Sequence, residues 1–232
     1  TILLPFWAKD GGPERTMAAL ADPNDRQKMK RELDSRSGMH TVWNETWLHN
    51  FRQPQNSKYD GKSIWQIAEM RDQDPSDTLF DLLHEERLGI SEVGTGTNPH
   101  TLPAFVSHPY GMIASDAILF GEYPNPRTYG CFPVVLAEFV RAEKHLRLPE
   151  AIRKMTSFPA QRLGLSDRGV LRDGYRADIV IFNPDTVRTD ATRHDPKHYP
   201  VGIDYVIVNG EIVIEKGTNT GATPGQALRR GH

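Results

Sequence analysis

Asp116 and Arg127 are the two side chains whose types and setting most suggest chemistry. Asp116 ends Gly111-Met-Ile-Ala-Ser-Asp116, in which four small or apolar residues follow the proline-marked turn at His108-Pro109. Such a run predicts a short buried strand that delivers a polar pair, Ser115-Asp116, at its carboxyl end. In barrels of alternating strands and helices the reactive groups stand at that end, where loops form a concave, partly water-excluded mouth. Asp116 is therefore the first candidate for a catalytic base, and a candidate metal ligand. Arg127 closes Tyr123-Pro-Asn-Pro-Arg127, where Pro124 and Pro126 stiffen the backbone and leave little entropy to lose in aiming the guanidinium. A fixed arginine fork suits a substrate carboxylate. The same residues admit a plainer reading: Asp116 caps the next segment, and Arg127 pairs with it or with Glu122.

The elements around this stretch follow from hydrophobic spacing. Helices are predicted from Pro13, from Asp22 to Asp34 with Met29 and Leu33 as its buried stripe, from Ser63 to Met70, and from Pro75 to Arg87 with Asp74 or Ser76 as cap. Strands are predicted at Met39–Trp43 and Leu88–Val93. Helix alternating with strand up to Asp116 is the order that barrel units produce. Beyond it, Phe132–His145 and Leu148–Thr156 read as amphipathic packing helices. From Gly169 the chain turns to short strands, 177–182, 204–208 and 211–215, the last two joined by Asn209-Gly210, a strong hairpin signal. The predicted division is residues 1–168 and 169–232, with the tail from Gly221 as extended, weakly ordered chain.

Other reactive residues have plainer explanations. Cys131, the single cysteine, rules out an internal disulfide and a two-cysteine zinc clamp, and reads as a small apolar residue in a reducing compartment such as the cytoplasm. His40 and His49 lack partners at ligand spacing, and Pro196 denies His194 and His198 a shared helix face. Trp43 and Trp47 read as core rather than as a binding pocket. Gly94-Thr-Gly-Thr-Asn-Pro99 lacks the third glycine of a dinucleotide fingerprint, and Pro99 and Pro103 spoil the helix that would receive a pyrophosphate. It is predicted to border the active site as a strand-end loop. With 38% hydrophobic residues and 28 Lys+Arg against 30 Asp+Glu, the chain reads as a folded protein with no nucleic-acid or membrane partner implied. No apolar run approaches a membrane span.

Three stretches carry a resemblance: Ser115-Asp116 with Asn125-Pro-Arg127 and Tyr129-Gly130; Pro159-Ala160 to Asp178, with its LGL, RGVL and RAD signals; and Val206-Ile-Val-Asn-Gly210. Together they resemble the carboxyl-terminal half of the N-acyl-D-amino-acid deacylases (D-aminoacylases), metal-dependent amidohydrolases, over nearly all of the chain from about Gly61. The resemblance implies an α/β fold, the last part of a (β/α)8 barrel followed by a small β-rich module. It implies hydrolysis of the amide of an N-acyl-D-amino acid, with Asp116 as general base and acid and Arg127 on the substrate's α-carboxylate. It also implies zinc, held mainly by ligands on earlier strands. The chain opens without methionine on an apolar run, Thr1 to Trp7, and no histidine matches those ligand positions. The expectation is therefore a fragment, inactive alone, or one of two polypeptides that complete each other. Ala117 stands where the family often has glycine or serine, and Asn125 where histidine is common. A cyclic amide or other N-acyl substrate, and a non-catalytic subunit of a split barrel, are the alternatives.

Overall fold

The structure, a computed structural model, describes residues 3–94, 100–119, 121 and 123–228. The chain divides into two compact units, residues 1–96 with 121–123, and residues 97–120 with 124–232.

The first unit contains α1 (Phe6–Lys9), α2 (Gly12–Ala21), α3 (Pro23–Asp34), α4 (Met39–Glu45), β1 (Thr46–His49), a 3-10 turn (Pro54–Tyr59), β2 (Lys62–Ser63), α5 (Ile64–Arg71), α6 (Pro75–Glu85) and β3 (Ser91–Gly94). The predicted starts hold because the capping chemistry is in the sequence. Asp22 accepts hydrogen bonds from Asn24 N and Asp25 N, Asp74 caps α6, and Ser63 with Gln66 forms a capping box. Met29, Leu33, Leu79, Leu82 and Leu83 are buried together with Trp43 and Phe80 in one core. The strand predicted at Met39–Trp43 is instead α4. Met39 and Trp43, one helical turn apart, both pack on that core, so the apolar spacing served a helix face rather than a strand.

The strand predicted from Leu88 begins only at Ser91, because Arg87 and Leu88 take positive φ angles of 49° and 63° to end α6. The sheet order is β2-β1-β3, with both pairings antiparallel, whereas successive barrel units would pair in parallel. The predicted strand-end loop at Gly94–Pro99 lies, beyond Gly94, outside the described residues.

The second unit contains α7 (Leu102–Ser107), a turn at Pro109–Tyr110 followed by irregular chain, α8 (Arg127–Val134), α9 (Leu148–Met155), α10 (Ser157–Leu163), β4 (Ile179–Phe182), β5 (Ile203–Val208), β6 (Glu211–Glu215) and β7 (Thr218–Asn219). Helix α8 begins at Arg127, earlier than predicted, and continues as a π-helical stretch from Val135 to Ala142. Pro133, inside the helix, has no N–H to bond Tyr129 O, and the wider hydrogen-bond register follows it, as in Glu143 N to Glu138 O at 2.8 Å. Val135, Leu136, Leu146, Ala151 and Val187 form the buried core of this unit.

Strands β4-β5-β6-β7 make one antiparallel sheet. Asn209 and Gly210, at φ 50° and 87°, supply the left-handed turn between β5 and β6 that the sequence announced. Thr218–Asn219 adds a short fourth strand that the sequence did not suggest, paired to Ile214 and Glu215.

Candidate active site around Asp116 and Arg127

Gly111–Ala114 is not the buried strand predicted. The run has no regular secondary structure, Met112 is 41% exposed, and no ladder partner lies beside it among the described residues. An apolar run becomes a strand only where a neighbouring strand accepts its N–H and C=O groups. Here a single backbone bond, Ile113 N to Lys154 O at 3.1 Å, ties the run to α9.

The structure does bring Asp116 and Arg127 together. Arg127 Nη2 donates to Asp116 Oδ2 at 2.5 Å, and Nε donates to the Asp116 carbonyl at 3.1 Å. One guanidinium therefore fixes both the side chain and the backbone of Asp116, leaving Nη1 outside the pair. Asp116 sits at φ 47°, in the left-handed region that aspartate tolerates better than most residues. This is the plainer pairing that the sequence allowed. It is also a carboxylate and a guanidinium held at one point of the surface, with side chains 78% and 43% exposed.

Local sequence explains the placement. The Asn125 side chain accepts from Arg127 N at 3.1 Å, and Pro126 precedes the first turn of α8, so Arg127 is delivered as the opening residue of that helix. Thr128 Oγ1 donates to Ile118 O at 3.4 Å. Further along α8, Gly130 is needed for close approach, since a Cβ there would stand 2.6 Å from Thr189 Oγ1. Cys131 Sγ lies 3.6 Å from Ala114 O. Burial pushes the Cys131 thiol above its ordinary value, against the smaller opposing effect of Arg127, so it stays a neutral thiol at neutral pH rather than a nucleophile. Beside these residues is an open cavity of about 370 Å³, bordered by Met112, Ala114, Arg127, Cys131 and Thr189 and mostly apolar.

The remaining predicted candidates stand elsewhere. His40 packs its ring on Trp65 at 5.0 Å, and His198 Nε2 pairs with Asp195 at 2.7 Å. His49 is fully buried, stacked on Tyr123 at 5.0 Å with Asp60 3.8 Å from Nδ1. Trp43 is core, as expected. Among the described residues, no three His, Cys, Asp or Glu side chains converge as a metal site. They do not by themselves fit a zinc ion, and Asp116 is committed to Arg127. Lys154 was missed by sequence reading: it is fully buried, and nothing in its amphipathic helix distinguishes it from the neighbouring Arg153. Among the described residues, no helix is long and apolar enough to cross a membrane.

Known proteins share this arrangement of elements. An N-acyl-D-aspartate deacylase of Alcaligenes xylosoxydans xylosoxydans is 44% identical over 126 residues, 54% of this chain and 25% of that protein. An N-acyl-D-glutamate deacylase of the same organism is 41% identical over 123 residues, again 25% of its length. The chain thus spans about a quarter of the curated relatives it matches. A D-aminoacylase crystal structure superposes with a TM-score of 0.70 at 30% identity, over 77% of this chain and 36% of that one. An N-acyl-D-glutamate deacylase from Bordetella bronchiseptica, solved with zinc and a phosphonate that mimics the tetrahedral intermediate, gives 0.67 at 29% identity, over 75% and 35%. The amidohydrolase family pattern itself matches residues 66–214, which take in the Asp116–Arg127 pair, α8 to α10 and the sheet through β6. With well over half of its length matched, the chain belongs to the amidohydrolase family.

Proposed function

We propose that this chain is the carboxyl-terminal part of a zinc-dependent deacylase that cleaves N-acyl-D-amino acids to a D-amino acid and a carboxylic acid. The observation that carries the reading is the Asp116–Arg127 pair on a chain 41–44% identical to deacylases of N-acyl-D-aspartate and N-acyl-D-glutamate. Asp116 takes a proton from the attacking water as its oxygen bonds to the acyl carbon. It returns that proton to the amide nitrogen as the C–N bond breaks, which restores the carboxylate for the next turnover. Arg127 binds the α-carboxylate, with a guanidinium that can share its donors between Asp116 and a second anion. Substrates bearing a carboxylate suit a site that already holds a cation fixed at both Nε and Nη2. Zinc belongs to the complete protein in this reading, with ligands from outside the residues that the structure describes.

The same proposal assigns residues 1–168 to the last part of a (β/α)8 barrel and residues 169–232 to the β-rich module. The apolar run 111–114, lacking a ladder partner among the described residues, supports its use as a barrel strand once the rest of the barrel, in the same or a second polypeptide, lies beside it. The four-stranded antiparallel sheet after Gly169 supports the module. The single cysteine supports a cytoplasmic setting.

The test is amine release by the complete enzyme from N-acyl-D-amino acids, their L-enantiomers and a cyclic amide. Release from the D-series is expected. Ring opening alone would transfer the chain to cyclic-amide hydrolysis, and no turnover of any of the three would leave it as a non-catalytic barrel subunit.

A further inference from the structure

Lys154 lies at the end of α9, carries a charge, and has none of its surface exposed. A buried ammonium persists only when its protons find acceptors. Its Nζ donates to the carbonyls of His108 and Gly111, the latter at 2.8 Å. Its backbone carbonyl accepts from Ile113 N at 3.1 Å, and the neighbouring Arg153 Nη2 donates to Pro109 O at 3.1 Å. Four attachments along His108–Ile113 thus come from two residues of one helix. The turn is also closed internally, Gly111 N to His108 O at 2.9 Å. A side chain at 111 would crowd it: a Cβ there would stand 3.0 Å from Phe105 O and 3.6 Å from Lys154 Nζ. Burial pushes Lys154 below the ordinary lysine pKa, so the clamp is built at an electrostatic cost that a surface lysine would avoid.

What the clamp holds is the approach to Asp116. From Ile113 the chain reaches Asp116 in three residues, with the weak Cys131 Sγ contact to Ala114 O between, and Arg127 grips the far end. We propose that Lys154 is a positioning residue for catalysis: by fixing the carbonyls of His108 and Gly111 and the amide of Ile113, it sets where the Asp116 carboxylate stands. This inference rests on the reading of Asp116 as general base. A carboxylate displaced by about 1 Å loses roughly 100-fold in rate, whereas the backbone of Arg127 rides on α8 and is held by Asn125.

In the complete enzyme, Lys154→Met is expected to lower kcat by about 10- to 100-fold. KM should change less than kcat, because the helix that carries Arg127 is untouched. Hydrogen exchange at the Gly111 amide, which closes the turn onto His108 O, should accelerate while far-UV circular dichroism is unchanged. Lys154→Gln keeps an NH2 group with two donors, on a shorter and neutral side chain, and should recover part of kcat. Asp116→Asn is assayed in parallel. Should Asp116→Asn retain full turnover, the reading of Asp116 as base fails and this inference goes with it. If Asp116→Asn is inactive while Lys154→Met keeps wild-type kcat, or loses activity wholly through KM, the Lys154 assignment alone is overturned. Where Lys154→Met does not fold, the donorless Lys154→Leu decides, and a wild-type kcat in that variant overturns the assignment.

Discussion

Replacing Arg127 by methionine separates a role in binding from one in stability, and the structure sets the size of both effects. Arg127 reaches Asp116 through two bonds, at 2.5 and 3.1 Å, but the paired side chains are 43% and 78% exposed. Exposed ion pairs contribute about 0–1 kcal/mol. For a chain of this length a loss of that order lowers Tm by no more than about 4 °C. Binding stands differently, because a charge-assisted bond to a substrate carboxylate contributes about 1.5–3 kcal/mol. Its removal should raise KM roughly 10- to 150-fold, and because Arg127 also grips Asp116 it should lower kcat as well, by less than Asp116→Asn does. Asp116→Asn has the opposite signature: kcat falls by roughly 10²- to 10⁴-fold, as when a general base is lost. Steady-state kinetics of the complete enzyme on an N-acyl-D-glutamate, with thermal melts of each variant, measure all four quantities. A melting point lowered by more than about 10 °C in Arg127→Met would show that the pair is structural. A fall confined to kcat in that variant would refute the anchoring role.

Two further predictions concern the first unit, whose unfolding is readily followed because all four tryptophans, Trp7, Trp43, Trp47 and Trp65, lie in it. Glu86 is 1% exposed and accepts from Arg52 N at 2.7 Å, Gln53 N at 3.1 Å and Asn56 Nδ2 at 2.7 Å. Glu86→Ala removes the acceptor of two part-buried backbone donors and one of the two acceptors of Asn56 Nδ2, and should destabilise by about 1–3 kcal/mol, read as a lower urea midpoint by tryptophan fluorescence; a change under about 0.5 kcal/mol would sink the account. Glu85 is held below the usual carboxylate range first by its hydrogen bonds from Arg71, at 2.9 and 3.0 Å. A depressed folded pKa means stability that is fully present above about pH 4.5 and is lost as pH falls through the folded value. Arg71→Met should therefore move the acid-unfolding midpoint upward, and an unmoved midpoint would contradict the assignment.

Local chemistry was legible in the sequence wherever a residue type answers a local need. Asp22, Ser63 and Asp74 cap because their side chains reach the next amides, Met29 and Leu33 are buried because they recur at one helical turn, and Asn209-Gly210 turns because both residues accept positive φ. The failures lie where an element depends on something remote. Met39–Trp43 has apolar residues at both strand and helix spacings, and contact of Met39 and Trp43 with the same core decided for the helix. Gly111–Ala114 has a strand's composition, but composition does not supply a ladder partner.

The candidate site divides along the same line. Asp116 and Arg127 were visible as types in a proline-stiffened setting, and their pairing was one of the two outcomes that setting permits. Lys154 was invisible because its acceptors are main-chain carbonyls, which every residue carries and no sequence advertises. A carboxylate's chemistry can be guessed from its name, but its position depends on backbone groups that are identical in every sequence. For that reason the residue that aims Asp116 had to be found from geometry, and variants at Lys154 discriminate between aimed and merely exposed carboxylate more sharply than variants at Asp116 itself.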